Sequence, residues 1–259
     1  MSFLISAASI EGFVYVGAPL LNKAKMKTNA SPNVLPLESS GCPKEVARYF
    51  ETKVPELMLL GFEVVGYYSA PDMLEGCVAY FSFLFNYRTQ DKAMIASTVT
   101  RKENSEIRSC YTEFSTRFTD GTAVTTSNIA TALVFRPVPT VKTTRLPGVE
   151  DCVLLYRVHR MQIEIFAPDR EKLLPEKGKE LNYLIEVTLR SSNEKQCELG
   201  ILSFDAESNC YRATWIGAYY MTWKLLFPAK QIELEMRKRN AREVLKQLDT
   251  YQWKQDTRA

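Results

Sequence analysis

Between Gly76 and Arg136 the chain reads CVAYFSFLFNY, then KAMIASTVTR, then EIRSCYTEFSTRFTDGTAVTTSNIATALVFR. β-Branched and aromatic runs separated by polar turns predict an antiparallel meander. The strongest local signal is Asp120-Gly121, a pair that favours a two-residue type I′ hairpin turn because both central residues need positive φ. That turn would set Phe118 opposite Ala123, Thr116 opposite Thr125 and Thr112 opposite Ile129. Side chains alternate along a strand. Cys110, Phe114, Phe118, Ile129 and Leu133 are then expected on a core face, and Tyr111, Glu113, Ser115, Arg117, Thr126 and Asn128 on a wetter one.

Cys77–Tyr87 behaves differently. Ala79, Phe81, Phe83, Phe85 and Tyr87 alternate with Val78, Tyr80, Ser82, Leu84 and Asn86, so both faces are largely apolar. This predicts a central strand covered on both sides. One cover is expected to be the helix before the sheet. The other is expected from the C-terminal helical region, with the rings of Trp215–Phe227 pressed against the strand.

Of 259 residues, 46% are hydrophobic and 24% charged, ordinary values for a globular chain. A net charge of +3 gives little long-range steering toward nucleic acid. The six cysteines, at 42, 77, 110, 152, 197 and 210, form no C-x-x-C pair, and His159 is the single histidine. Neither a zinc site nor a disulfide framework is expected. Free thiols point to a reducing compartment, so the expected location is cytoplasmic.

In chain order, residues 3–21 form an apolar stretch of borderline length for a membrane span, with Glu11 inside it. The expectation is a loosely ordered extension rather than a span. Asn22–Gly41 holds three lysines, three serines and two prolines and is expected to be a disordered or extended linker. Pro43–Leu60 has helical spacing in Val46, Phe50, Val54, Leu57 and Met58, with Pro55 expected to kink it and Gly61 to end it. Residues 62–69 read as a first strand, and Thr140–Leu146 as the last. From Val149 the period becomes helical, over Val149–Phe166 and again over Glu176–Glu198. Gly200–Asp205 and Cys210–Ala213 flank a polar turn, a small hairpin. Thr214 can cap a helix over Trp215–Phe227, and Ala229–Leu248 is a last, charged helix. Three regions are expected: 1–41, 42–148 and 149–259.

The aromatic-basic stretch TWIGAYYMTWKLLFPAK is the most suggestive functional feature. It carries Trp215, Tyr219, Tyr220, Trp223, Lys224, Phe227 and Lys230, and Arg237, Lys238 and Arg239 follow. Trp and Tyr favour the bilayer interface and basic residues favour anionic headgroups, so a helix lying on a membrane is one reading. The other is that the rings fill the core. ELGILSFDAESNCYRATWIG resembles the wing of a winged-helix module, which would make Glu176–Glu198 the recognition helix. Its five acids against four bases argue against a groove-binding helix. His159 is the only acid–base candidate near neutral pH, and no nucleophile motif accompanies it. Glu113 and Arg117, four residues apart on one strand side, read as a solvated charge ladder. No glycine-rich phosphate loop exists.

The sequence therefore predicts an α+β protein: an antiparallel meander of about six strands packed on an N-terminal helix, then a helical region containing a wing-like hairpin. The leading functional expectation is a non-enzymatic interaction protein without cofactor, peripheral to an anionic membrane or bound to a protein partner through 215–240. A homodimer stays open. The alternatives are a binder of small apolar ligands, with Tyr67, Tyr68, Tyr80 and Phe83 lining a pocket, and a winged-helix-like nucleic-acid binder.

Overall fold

The computed structural model describes residues 17–37, 41–74, 76–100, 107–131 and 134–253. Most of the stretch 3–21 lies outside them. Two short strands and a helix occupy the expected linker: α1 (Ala18–Lys25), β1 (Lys27–Asn29) and β2 (Leu35–Pro36). Each has a partner. Asn22 of α1 donates to Thr222 Oγ1 at 2.8 Å and Lys23 Nζ to the Ala213 carbonyl at 2.8 Å. β1 and β2 each close the open edge of a sheet described below. Available strand edges thus order a stretch whose composition alone would leave it extended.

α2 (Lys44–Leu59) runs unbroken through Pro55 and buries Val46, Phe50, Val54 and Leu57, while Met58 is exposed. Its end is a Schellman motif: Gly61 has φ +84°, its N–H reaches the Met58 carbonyl, and the Phe62 N–H reaches Leu57. Phe62 enters the core at the same point. The sheet then unrolls as β3 (Glu63–Leu74), β4 (Cys77–Asn86), β5 (Asp91–Thr100), β6 (Ile107–Arg117), β7 (Ala123–Ser127) and β8 (Val141–Arg145). With β2 it has seven strands in the order β2-β3-β4-β5-β6-β7-β8. Every pairing is antiparallel except β7 with β8, which is parallel.

α3 (Cys152–Phe166) starts at Asp151, whose carboxylate accepts from the Val153 and Leu154 N–H groups. It packs with α2 on one face of the sheet around Leu84, Ile95 and Phe114. A helical stretch crosses the other face: α4 (Glu180–Tyr183), a π-wound turn over Leu184–Arg190, and α5 (Ser191–Glu198). β9 (Leu202–Asp205) and β10 (Cys210–Ala213) form the expected hairpin, widened to three strands by β1. α6 (Trp215–Leu225) and α7 (Ala229–Asp249) complete the chain, and Ala241 and Leu248 of α7 return to the α2/α3 cluster.

β4 is sandwiched as its two apolar faces require: Phe81, Phe83 and Phe85 are buried on one side, Ser82, Leu84 and Asn86 on the other. The cover on the Phe side is not the 215–227 rings. Leu181 of α4 and Leu184 of the π-wound turn pack there with Tyr68 and Phe83. Tyr68 and Phe83, two of the four residues expected around an apolar pocket, are buried in this cluster.

The β6–β7 register is shifted by one from the type I′ expectation. Arg117 faces Ala123 and Thr116 faces Val124. The Phe118 N–H bonds the Thr122 carbonyl and the Gly121 N–H bonds Phe118, with Gly121 at φ +81°. This is a three-residue loop in which Asp120-Gly121 ends a type I turn and Gly121 takes the left-handed position. Asp120 Oδ1 secures it by accepting from the Thr122 N–H at 2.9 Å. Phe114 and Phe118 stay in the core, as expected. Thr126 and Asn128, expected on the wet face, turn inward instead and are buried. Ile129 lies past the end of β7, and Leu133 is outside the described residues.

Candidate interaction surface

Thr214 begins the site. Its hydroxyl accepts from the Gly217 N–H at 2.9 Å and donates to the Gly200 carbonyl at 2.6 Å, capping α6 and tying it to the end of the preceding helical stretch. Gly217 lets the helix lie directly on the backbone. A Cβ built there would meet the Ile201 carbonyl oxygen at 2.0 Å, a distance no side chain tolerates. The face turned inward is accordingly small: Gly217, Ala218, Met221 and Thr222 are buried.

The face turned outward carries the rings. Trp215, Tyr219, Trp223 and Phe227 recur every four residues and so form one stripe along α6 and just beyond it. They are 53%, 51%, 60% and 80% exposed. Ile216, Leu225, Ile232 and Met236 are exposed beside them. Eight of the twenty exposed large apolar side chains among the described residues fall between 215 and 236. Single exposed apolar residues are ordinary; here they are concentrated on one segment.

The basic residues divide. Lys230, Lys238 and Arg239 are exposed, the last two in surface pairs with Glu235 and Glu243. Such pairs contribute little and exchange readily for other anions. Lys224 and Arg237 are committed elsewhere. Both bind Glu233, and Arg237, which is buried, also donates to the Thr131 carbonyl at 2.8 Å. Tyr220 is half-buried in the cluster with Ile201 and Met221, under the Arg136 guanidinium. Of the aromatic-basic set, Tyr220, Lys224 and Arg237 therefore belong to the body of the protein and the rest to its surface.

His159 is fully buried, and its surroundings are a closed network that sequence inspection does not reveal. Asp91, the first residue of β5, has no solvent exposure. Its Oδ1 accepts from Thr116 Oγ1 at 2.6 Å and Lys172 Nζ at 2.8 Å, and its Oδ2 from Tyr156 at 2.9 Å and Arg160 at 3.1 Å. Thr116 gives its one hydroxyl proton to Asp91, so it can only accept from His159 Nε2, 3.0 Å away. That places the imidazole proton on Nε2 and leaves Nδ1 to accept from Thr126 at 3.2 Å. Burial, outweighing the attraction of Asp91, pushes the imidazole down to about 4. Burial also works against ionised Asp91, but in the acid range where Asp91 titrates His159 is protonated as well, and its charge with those of Lys172 and Arg160 holds Asp91 below the usual carboxylate range. A neutral histidine bonded between two threonines ties β6, β7 and α3 together, and Asp91 joins β5 to them.

Among the described residues no group of three or more His, Cys, Asp or Glu side chains could hold a metal, and no helix is long and apolar enough to cross a membrane. The described cysteines are all free thiols. Set against known proteins, the chain matches no family model, no curated protein and no solved structure.

Proposed function

We propose that this protein is an interaction protein that lies on an anionic membrane surface through the α6–α7 stripe. The observation that carries this reading is the exposure of Trp215, Tyr219, Trp223 and Phe227 on one side of a helix whose other side is packed. Indole and phenol rings partition to the headgroup level, where the apolar ring and the polar edge are both accommodated. Lys230, Lys238 and Arg239 lie on the helix that continues the stripe, in reach of lipid phosphates, and each such cation near an anionic leaflet contributes about 1 kcal/mol.

The test is sedimentation of the full chain with vesicles of phosphatidylcholine alone and of phosphatidylcholine with phosphatidylserine. Binding to the serine-containing vesicles, weakened by salt and lost in a Trp215→Ser, Trp223→Ser, Phe227→Ser variant that still folds, is the expected result. No binding to either vesicle, or equal binding by the variant, overturns the proposal. So does a wild-type dimer that the same substitutions convert to a monomer while vesicles stay unbound, since the stripe would then be a subunit interface.

A further inference from the structure

Glu113 and Arg117, which read as a solvated ladder, instead sit on the floor of a cleft of about 730 Å³. The floor is the face of β6–β8 opposite the dry core. Because Thr125 lies beside Thr143 and Ser127 beside Arg145, the odd-numbered residues of all three strands share that face. Thr125 donates to Thr143 at 3.2 Å across it. α5 supplies one wall with Ser191, Ser192 and Lys195, and α7 another. The loop at Arg136 is fastened to α5 by two hydrogen bonds between Gln196 and the Arg136 backbone, at 3.0 and 3.1 Å. Buried Gln196 thus fixes the spacing between the loop and the helix. None of the stripe rings Trp215, Tyr219, Trp223 and Phe227 is in its lining.

Its charge is lopsided. Seven basic side chains line the cleft against three acidic ones, leaving four positive charges in excess. Two of the acids are already engaged: Glu233 bridges Lys224 and Arg237, and Glu243 pairs with Arg239. Of the lining acids only Glu113 remains for Arg117, Arg136, Lys142, Arg145 and Lys195. Among the described residues no carboxylate comes within ion-pair distance of the Arg117 or Arg145 guanidinium. Both are half-buried. Burial, and then the neighbouring Arg237 charge, lowers Arg145; burial likewise lowers Arg117. Holding two guanidinium groups partly out of water with no carboxylate at ion-pair distance costs stability. Proteins accept that cost where a ligand supplies the counter-charge.

We propose that this cleft binds a small molecule carrying phosphoryl groups, with Arg117 and Arg145 as its principal donors. The guanidinium fork matches the geometry of a phosphoryl group and donates to it in pairs. Lys142 and Lys195 add charge, and Ser191 and Ser192 add hydroxyl donors. Four excess charges exceed what a single carboxylate would balance. The volume lies within the range of small-molecule sites, about 300–1,000 Å³. The same chemistry is offered by a soluble phosphorylated metabolite and by a phosphorylated inositol lipid headgroup.

Two soluble probes, pyrophosphate and inositol trisphosphate, separate these sources when each is titrated calorimetrically into the full chain. Vesicles containing phosphatidylinositol bisphosphate form the lipid arm. Binding of either soluble probe is expected, weakened at least about tenfold in Arg117→Gln and in Arg145→Gln by loss of a charge-assisted fork. The ligand-free Arg145→Gln chain is expected to melt no lower than the wild type, since a half-buried charge with no carboxylate at ion-pair distance among the described residues is removed. Inositol trisphosphate that competes the chain off the bisphosphate vesicles assigns the cleft to the lipid headgroup. Pyrophosphate binding without vesicle capture assigns it to a soluble ligand. Absence of binding by both soluble probes overturns the proposal, as does binding that the two substitutions leave unchanged. The stripe variant, in which Trp215, Trp223 and Phe227 become serine, is expected to bind the soluble probes normally, so failure of the membrane reading and failure of this one are told apart.

Discussion

Two stretches of this chain are equally rich in rings and end in opposite places. Residues 77–87 hold Tyr80, Phe81, Phe83, Phe85 and Tyr87; residues 215–227 hold Trp215, Tyr219, Tyr220, Trp223 and Phe227. In the first, Phe83 is 1% exposed; in the second, Phe227 is 80% exposed. Aromatic content therefore says nothing about burial. Spacing and the opposite face do. The first stretch alternates with apolar residues on both sides of a pleat, so two layers must cover it. The second repeats every four residues on a helix whose other side offers glycine, alanine and a threonine for close packing. The helix docks by its small face, and the large one is left outside.

The contrast can be broken by substitution. The largest effects belong to the buried side. Phe83→Ala should cost about 3–5 kcal/mol in urea unfolding, through lost burial and the cavity left under Leu184. Asp91→Ala should cost a comparable amount, about 3–5 kcal/mol, because Lys172 and Arg160 lose their shared partner. An Asp91→Ala chain as stable as the wild type would show that the network contributes nothing.

The same network makes a pH prediction. The folded value of His159, about 4, lies below its ordinary 6.5, and Asp91 lies below its ordinary 3.8. The unfolded chain thus binds more protons, and stability rises with pH. Urea midpoints should be flat above pH 6.5 and fall from there toward pH 4 as the unfolded histidine, but not the folded one, takes a proton. They should fall further below pH 3.8 as Asp91 is lost. A midpoint that holds level between pH 6.5 and 4 would remove His159 from the account.

Smaller effects sharpen the exposed side. Thr214→Ala should cost about 1 kcal/mol through loss of the α6 cap. Trp223→Ser should change stability by less than about 0.5 kcal/mol, as expected of an exposed residue that packs on little. A loss of several kcal/mol on Trp223→Ser would mean that the stripe supports the fold and is not a free surface.

Much of the architecture could be read from the chain. Apolar spacing located α2 and α3, and Thr214 marked the start of α6. The β9–β10 hairpin followed from two short β runs around a polar turn. The register of β6 against β7 could not be read, because Asp120-Gly121 fits two turns that differ by one residue. Thr126 decides between them by reaching His159 from the inner face. The aromatic-basic segment was legible, but neither the exposure of its rings, expected against β4, nor its separation into exposed Trp223 and committed Arg237, which depends on Glu233 and the Thr131 carbonyl. The Asp91 network left no linear trace at all. Lys172 is 81 residues away from Asp91 in sequence, and Arg160 is 69.

By itself the sequence determined most of the strands and helices after residue 43, since those follow from side-chain period and turn residues within a few positions; it did not foresee α1, β1 and β2 or the π-wound break in 180–198. It also required that β4 be covered on both faces. Only the tertiary structure decided what does the covering, which rings are left in water, and which arginines have no carboxylate at ion-pair distance among the described residues. Those outcomes depend on groups far apart in the chain competing for the same partner, and local spacing carries no record of that competition.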